Sequence, residues 1–291
     1  YCTGQGAPTV ILESGLTISN LSWAPVQSDM AESAATRVCA YDRAGMGFSD
    51  EGPGERDTEA QVEDLEALLA VADLPGPYIM VGHSMGGLTA RLFTDRNRDR
   101  VVGMLLVDPS VEHQDRRFAD LIPKSAVAEA EALATMESCV AAAEAGNLGI
   151  DRPGYDACNW LKMSVVFPEP LRSAFAGQVA SPAYQRTMLS EFRGMRGSGS
   201  DQVAASRRAY GDLPLIVLTR DVANDAGYTD DENAAGHALL VTLHQEVAAL
   251  STRGQARVVP NADHYMQLTV PRVLVEAVRE LAVAARVTMR E

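Results

Sequence analysis

Short apolar runs alternate with longer amphipathic stretches through most of the chain. A short apolar run bounded by turn residues is typical of a strand buried in a parallel sheet, and apolar positions three or four apart indicate a helix. The helical pattern is clear after Thr58, where one side is predicted to carry Val62, Leu65, Leu68 and Leu69. The predicted strands are Thr9–Glu13, Arg37–Tyr41, Tyr78–Val81, Val101–Val107, Leu213–Thr219 and Ala256–Pro260, and further helices are predicted from Leu88, over His237–Leu250 and from Pro271.

The alternation is interrupted once, from about Ser110 to Gly211. That stretch is rich in alanine, carries scattered methionine and aromatic residues, and contains no convincing strand. Strand and helix alternation on both sides of a helical insert predicts an α/β fold: a mostly parallel sheet with helices on both faces and a helical cap inserted after the strand that ends at Asp108. We therefore predict a core of residues 1–109 and 211–291 and a cap domain of residues 110–210.

The pentapeptide Gly82-His83-Ser84-Met85-Gly86 joins a predicted strand to a predicted helix. In a Gly-x-Ser-x-Gly pattern of this kind, the chain turns sharply enough to hold the serine in a strained, exposed conformation. Gly82 and Gly86 lack a Cβ, so strand and helix can approach closely around the hydroxyl. A chance glycine-rich turn is the alternative, but the flanking strand and helix favour a nucleophile elbow at Ser84.

The loop Ser14-Gly15-Leu16 follows the first predicted strand and is a candidate for part of an oxyanion hole. Acyl transfer places negative charge on the carbonyl oxygen of the substrate, and backbone N–H groups aimed at that oxygen stabilise it. One donor would be the N–H of Met85, the residue after the nucleophile, and the second would be the N–H of Leu16. An ordinary strand-to-helix turn is the alternative for this loop.

The composition fits one large domain with an insertion or two small domains. The chain has 291 residues, of which 46% are hydrophobic, enough for a sizeable core. Its net charge of -14 disfavours nucleic acid and anionic membranes as partners, although solubility explains the acidity more simply. We expect no membrane span, because no apolar run reaches about 18 residues. The start at Tyr1 fits a removed leader or an artificial start, so a cytoplasmic and an exported location both stay open, as does the oligomeric state.

Four cysteines and one glycine-containing loop raise other chemistries. Cys2, Cys39, Cys139 and Cys158 lack the spacing of metal ligands. Cys39 lies in a predicted strand and fits a small buried apolar residue, whereas Cys139 and Cys158 would pair if the chain is exported. The loop Asp42–Ser49 has two glycines but neither the third glycine nor the helix of a dinucleotide site. We expect no cofactor and no metal.

Taken in their order along the chain, these motifs resemble those of the α/β-hydrolase family. The first strand with its Ser-Gly-Leu loop, the Asp42–Ser49 loop, the elbow and a late Asp263-His264 pair span nearly the whole chain apart from the cap. The resemblance implies a catalytic serine, acid and histidine, with the histidine last. It makes Ser84 the nucleophile and His264 its base. The other four histidines lie in the elbow, at the start of the cap or on a helix, where packed or solvated roles are expected.

The resemblance leaves two candidates for the acid. Many family members carry it after the strand that follows the cap, where this chain offers Asp221, but Thr219 and Val222 replace the usual glycine and aspartate there. Asp108 ends the strand after the elbow, a placement similar to that in zearalenone lactonases and some haloalkane dehalogenases. We favour Asp108, with Asp221 as the alternative acid. A simple strand-end role for Asp108 before Pro109 is the third interpretation.

A serine at the elbow points to acyl chemistry, because the related haloalkane dehalogenases and epoxide hydrolases carry a nucleophilic aspartate there. We predict a serine hydrolase that cleaves a carboxylic ester through an acyl-enzyme on Ser84, with a lactone or another bulky apolar ester as its small-molecule substrate. An amidase or peptidase of the same fold and a receptor without turnover are the alternatives. Aromatic and methionine side chains of the cap would form either a substrate pocket or the cap's own core, and Trp160 is the candidate substrate-binding residue.

Overall fold

The computed structural model describes residues 1–159, 171–221 and 227–288. The strands are β1 (Cys2–Thr3), β2 (Thr9–Glu13), β3 (Val38–Ala40), β4 (Tyr78–His83), β5 (Val101–Val107), β6 (Leu215–Arg220) and β7 (Gly254–Val259). The helices are α1 (Ala24–Ala34), α2 (Thr58–Val71), α3 (Gly86–Arg96), α4 (Gln114–Leu121), α5 (Lys124–Glu144), α6 (Tyr155–Cys158), α7 (Leu171–Val179), α8 (Pro182–Arg196), α9 (Ser198–Ser206), α10 (Asp230–Ala248), α11 (Met266–Thr269) and α12 (Pro271–Thr288).

The strands form one seven-stranded sheet in the order β1-β3-β2-β4-β5-β6-β7. β1 runs antiparallel to β3, and the other neighbouring strands pair in parallel. At the centre, His83 pairs with Val107, and Val107 pairs with Leu218. The carboxyl ends of β4, β5 and β6 therefore lie side by side, which brings together the residues that follow these three strands.

Helices cover both faces of the sheet because alternate residues of the central strands point to opposite sides. Val81 belongs to a buried cluster on one face, which includes Val278 of α12 and residues of α1. Its neighbour Met80 belongs to the cluster on the other face, which includes Phe93 of α3 and residues of α2 and α10. The predicted α/β fold, a mostly parallel sheet with helices on both faces, is confirmed.

The segment between β5 and β6 is helical where the structure describes it. Helices α4 to α9 lie there, and the described part of the segment contains no strand. Helices α5 and α8 pack together, and a third buried cluster includes Met136, Phe175, Tyr184 and Phe192. Helix α9 packs against α8 and also against α2 and α3 of the core. No helix among the described residues is both long enough and apolar enough to cross a membrane.

Two disulfides join the four cysteines, Cys2 to Cys39 and Cys139 to Cys158. The interpretation of Cys39 as an unpaired apolar residue is wrong. Its side chain is buried as expected, but the short strand β1 places Cys2 directly opposite it. The pairing of Cys139 with Cys158, which we expected of an exported chain, is present and joins α5 to α6.

Candidate active site

Ser84 lies in a sharp turn between β4 and α3. Its backbone is in the left-handed region, with φ of 54°, a conformation that costs a residue with a side chain about 1–2 kcal/mol. A Cβ on Gly82 would lie 2.5 Å from the carbonyl oxygen of Gly86. A Cβ on Gly86 would lie 2.7 Å from the carbonyl oxygens of Glu13 and Ser14. Both positions therefore require glycine, and the turn presents the Ser84 side chain beyond the carboxyl end of β4.

Three of the predicted site residues meet at this edge of the sheet. The Nε2 atom of His264 lies 3.0 Å from Oγ of Ser84, and its Nδ1 atom lies 2.6 Å from Oδ2 of Asp108. At these distances the Ser84 hydroxyl can donate to His264, and the Nδ1–H of His264 can donate to Asp108. The arrangement can move a proton from a serine to a histidine whose orientation a carboxylate fixes.

Asp108 is a buried carboxylate with a second partner, Arg220. The side chain is 3% exposed, and Oδ1 accepts the backbone N–H of Arg220 at 3.1 Å while Oδ2 accepts Nη1–H at 3.2 Å. Burial alone would raise the pKa of the Asp108 carboxyl, but the hydrogen bond and charge of His264 and the charge of Arg220 outweigh burial and hold that pKa well below its usual range. Asp108 is therefore ionised at neutral pH, the state that stabilises a protonated imidazole.

Asp221, the alternative acid, makes different contacts. It is exposed, and its Oδ2 atom accepts the backbone N–H of Asn261 at 3.3 Å. Its own N–H donates to the carbonyl oxygen of Ala262 at 3.1 Å. These bonds tie the end of β6 to the loop after β7. Of the two candidate acids, the structure brings Asp108 to the histidine.

The sequence alone did not point to Arg220, which also contacts this group. It is the last residue of β6, and its Nη1 atom lies 3.4 Å from Nδ1 of His264. A fixed positive charge there stabilises the ionised carboxylate of Asp108. The signal that could have revealed Arg220 was its position next to Asp221, at the end of a strand.

His83, within the elbow, holds the loop that carries His264. Its buried ring donates Nε2–H to the backbone carbonyl oxygen of His264 at 2.8 Å, and the two ring centroids lie 4.8 Å apart. Burial, and then the neighbouring His264, lowers the pKa of His83 to about 3. His83 is therefore uncharged at neutral pH, and its place in the site is that of a hydrogen-bond donor to the backbone.

His244 of α10 joins the ends of β5 and β6. It is fully buried, with Nε2 at 2.9 Å from the carbonyl oxygen of Pro109 and Nδ1 at 2.7 Å from Oγ1 of Thr219. Since a carbonyl oxygen only accepts, Nε2 carries the proton and Nδ1 accepts the hydroxyl of Thr219. Burial lowers the pKa of His244 and keeps the ring neutral. This histidine therefore packs against the residues adjacent to Asp108 and Arg220.

The loop Ser14-Gly15-Leu16 lies directly beside the elbow. A Cβ on Gly15 would lie 3.1 Å from the Cβ of Ser84, so a side chain there would crowd the serine. The backbone N–H groups of Leu16 and Met85 make no hydrogen bond to any residue in the described part of the chain. Both groups are therefore available to a negative charge that develops next to Ser84.

A cavity of about 340 Å³ lies between α4, α5 and α8. Among the described residues that line it there is neither Ser84 nor His264. Ser110 lines it, and the N–H of Ser110 donates to the carbonyl oxygen of Ser84 at 2.8 Å. The wall also contains the ion pair of Arg196 with Glu129, at 2.7 Å. The large apolar side chains that line the cavity are Phe118, Phe192, Met195 and Tyr228.

The remaining site predictions concern substrate and metal binding. Trp160, the candidate substrate-binding residue, lies outside the described residues. Within residues 1–159, 171–221 and 227–288, no group of three or more His, Cys, Asp or Glu side chains is arranged to hold a metal ion.

A model of the alpha/beta hydrolase family matches residues 10–277 of the chain. Among solved structures, an esterase from Thermogutta terrifontis is 22% identical with a TM-score of 0.60, over 98% of this chain and 92% of that one. The epoxide hydrolase CorEH is 17% identical with a TM-score of 0.65, over 96% of this chain and 92% of that one. At such low identities these structures establish the shared fold and no shared activity.

Two curated relatives match shorter segments. The uncharacterised protein YqjL of Bacillus subtilis is 34% identical over 108 residues, which are 37% of this chain and 42% of that protein. The sn-1-specific diacylglycerol lipase ABHD11 of Mus musculus is 33% identical over 103 residues, which are 35% of this chain and 33% of the lipase. The chain thus covers less than half the length of either relative.

Proposed function

The chain belongs to the alpha/beta hydrolase family, and we propose that it is a hydrolase that cleaves carboxylic esters through an acyl-enzyme on Ser84. The observation that carries the proposal is the position of His264, whose ring nitrogens lie 3.0 Å from Oγ of Ser84 and 2.6 Å from Oδ2 of Asp108. A free hydroxyl is a poor nucleophile at neutral pH, and a base at hydrogen-bond distance activates it.

In the proposed first half-reaction, Oγ of Ser84 attacks the carbonyl carbon of the ester and its proton passes to Nε2 of His264. The ionised Asp108 stabilises the imidazolium that forms. The carbonyl oxygen becomes negative and accepts hydrogen bonds from the N–H groups of Leu16 and Met85. When the intermediate collapses, the bond to the leaving oxygen breaks and His264 returns the proton to it. The alcohol departs, and the acyl group stays on Ser84.

In the second half-reaction, water attacks the acyl-enzyme while His264 takes one of its protons. Collapse of the second intermediate breaks the bond to Ser84, which regains its proton from His264, and the carboxylic acid is released. Asp221 has no part in either step. Arg220 supports the ionised state of Asp108 throughout, since it donates to both of its oxygens.

We further propose an apolar ester or lactone as the substrate. Support comes from the cavity of about 340 Å³ that is lined by Ser110, the hydrogen-bond partner of Ser84. Its volume is that of a small ligand site, and Phe118, Phe192 and Met195 give its wall an apolar part. For a lactone, the alcohol and the acid are parts of one molecule, so acylation would open the ring and water would release a hydroxy acid. Trp160 remains our candidate for a contact with the substrate.

The test compares the purified chain with Ser84→Ala on aryl esters, acyl esters of short and long chain, macrocyclic lactones, amides and epoxides, with products measured by chromatography. We expect ester or lactone turnover that Ser84→Ala lowers by at least about 10⁴-fold while the far-ultraviolet spectrum is unchanged. Undiminished turnover by Ser84→Ala would refute the role of the serine. Turnover of amides without esters would establish an amidase, and tight binding with less than one turnover per protein would establish a receptor.

A further inference from the structure

A buried arginine, Arg43, lies directly behind the loop that carries Leu16. It belongs to the Asp42–Ser49 loop and is 4% exposed. Its Nη1 atom donates to the carbonyl oxygen of Ser14 at 2.5 Å, and its Nη2 atom donates to that of Gly15 at 2.8 Å. One guanidinium group thus holds two successive carbonyls of the loop beside Ser84.

The hydrogen bond to Gly15 fixes the direction of the next N–H group. The peptide unit between Gly15 and Leu16 is trans and planar, so the N–H of Leu16 points away from the Gly15 carbonyl oxygen. A cation on the carbonyl side also polarises this unit, which makes the opposite N–H a stronger donor. That N–H is the group that the proposed mechanism directs at the oxyanion.

Two buried carboxylates hold Arg43 in this position. Glu13 accepts Nη1–H at 2.9 Å, and Glu191 accepts Nε–H at 2.7 Å and Nη2–H at 3.0 Å. Together with the two carbonyls, these acceptors use all five N–H donors of the guanidinium. Burial alone would lower the pKa of Arg43, but Glu191 and Glu13 outweigh burial and raise it, so the side chain stays charged.

Glu191 makes the helical insert part of this arrangement. It lies on α8, two helical turns after Tyr184, which places both side chains on one face of the helix. The hydroxyl of Tyr184 donates to the carbonyl oxygen of Thr17 at 2.8 Å. Helix α8 therefore contacts the loop directly through Tyr184 and indirectly through Arg43.

We propose that Arg43 is a positioning residue for the oxyanion hole: it orients and polarises the Gly15–Leu16 peptide, and α8 orients Arg43 through Glu191. The oxyanion meant here is the one that forms in the acyl transfer proposed above, so this role rests on the proposed function. Arg43 acts through the peptide and does not touch the substrate. Its removal is therefore expected to weaken the binding of the oxyanion while KM changes little.

The test uses an ester and the matching thionoester, in which sulfur replaces the carbonyl oxygen. Sulfur is a weaker hydrogen-bond acceptor and is larger than oxygen, so an intact oxyanion hole favours the ester. Arg43→Lys keeps the charge but supplies three donors where five are needed. We expect kcat on the ester to fall about 10- to 100-fold, and the ester-to-thionoester ratio of kcat/KM to fall about tenfold, because the thionoester depends less on the hole.

Arg91→Lys is the matched control. Arg91 is also fully buried and forms a two-pronged pair with a glutamate, Glu112, but none of its hydrogen bonds within the described residues reaches the loop of residues 14–17. General loosening of the fold would lower kcat/KM for both substrates and leave the ester-to-thionoester ratio unchanged. We expect this result for Arg91→Lys. A folded Arg43→Lys protein with the wild-type ratio would overturn the proposal.

If Arg43→Lys does not fold, the ester-to-thionoester ratio of kcat/KM is measured for Glu191→Gln instead. This variant weakens the hold on the Arg43 guanidinium and leaves both the loop and the arginine unchanged in sequence. A lowered ratio in folded Glu191→Gln supports the proposal, and an unchanged ratio overturns it. The parent protein and Ser84→Ala are assayed alongside. Ester turnover that does not depend on Ser84 would show that the proposed function has failed, whereas Ser84-dependent turnover with unchanged ratios would show that only the role of Arg43 has failed.

Discussion

Asp108 and Asp221 follow neighbouring strands, yet their surroundings are opposite. β5 and β6 pair in parallel, so the two residues leave the sheet at the same edge. Asp108 is buried, with His264 and Arg220 on its carboxylate, while Asp221 is exposed and accepts a backbone N–H of the next loop. Two carboxylates at the ends of neighbouring strands therefore differ in what they do. Asp108 can stabilise a protonated histidine, and Asp221 connects the end of one strand to the next loop.

The backbone of Asp108 explains part of this difference. Its φ of 43° is in the left-handed region, and its N–H donates to the carbonyl oxygen of Leu218 at 2.8 Å. The side chain is thereby directed across the end of β6 toward the loop of His264. His244 holds the ends of both strands through its hydrogen bonds to the carbonyl oxygen of Pro109 and to the hydroxyl of Thr219. Whether a carboxylate can serve as the acid therefore depends more on the groups that hydrogen-bond to its oxygens than on its position in a sequence motif.

The largest expected effect comes from Asp108→Asn. The amide is uncharged and cannot stabilise the imidazolium or hold the histidine in the required tautomer, so we expect kcat on the best ester to fall by about 10⁴-fold. Steady-state kinetics at neutral pH measures the loss, and circular dichroism checks that the variant is folded.

The matched control for Asp108→Asn is Asp221→Asn, which removes the same charge at the end of the neighbouring strand β6. Because the Asp221 side chain is exposed and, within the described part of the chain, makes no hydrogen bond to Ser84 or His264, we expect kcat to change by less than about threefold. A larger loss in Asp221→Asn than in Asp108→Asn would reverse the comparison and move the acid to β6.

A smaller effect is expected from Arg220→Gln. The Arg220 guanidinium donates to Oδ2 of Asp108 at 3.2 Å, and its positive charge helps to hold the pKa of that carboxyl low. The variant removes this charge but keeps the backbone N–H that donates to Oδ1 of Asp108. We expect kcat on the best ester at neutral pH to fall by about tenfold or less, as measured by steady-state kinetics.

A matched control is Arg257→Gln on the neighbouring strand β7, where the arginine pairs with Glu280 at 2.7 Å on the surface. This variant loses the same charge from the neighbouring strand, away from Asp108, and should leave kcat unchanged within about twofold. If Arg220→Gln also leaves kcat unchanged, the charge of Arg220 does not contribute to the function of Asp108.

Much of the fold could be predicted because the central strands are apolar on both faces. β2 and β5 have the predicted bounds, and α12 begins at Pro271 as expected. β7 was less well placed, because it is an edge strand whose exposed residues hide its start at Gly254. Helix α10 begins at Asp230 and not near His237, since its first turn is acidic and carries no apolar pattern.

The meeting of Ser84, His264 and Asp108 could also be anticipated, because each residue follows a recognisable strand. The roles of Arg220 and Arg43 could not. They depend on the register of adjacent strands and on a contact with Glu191 that lies far away in sequence, neither of which leaves a local pattern. The two-residue strand β1, and with it the disulfide of Cys2 with Cys39, is too short to give a periodic signal.

The most direct test of the central claim is to trap the acyl-enzyme. The protein is mixed with an aryl ester, quenched in acid within the first turnover and measured by mass spectrometry, intact and after digestion. We predict a mass increase equal to one acyl group, located on the peptide that contains Ser84 and absent from Ser84→Ala. Ester turnover with no adduct on Ser84, or with the adduct on another residue, would contradict the account.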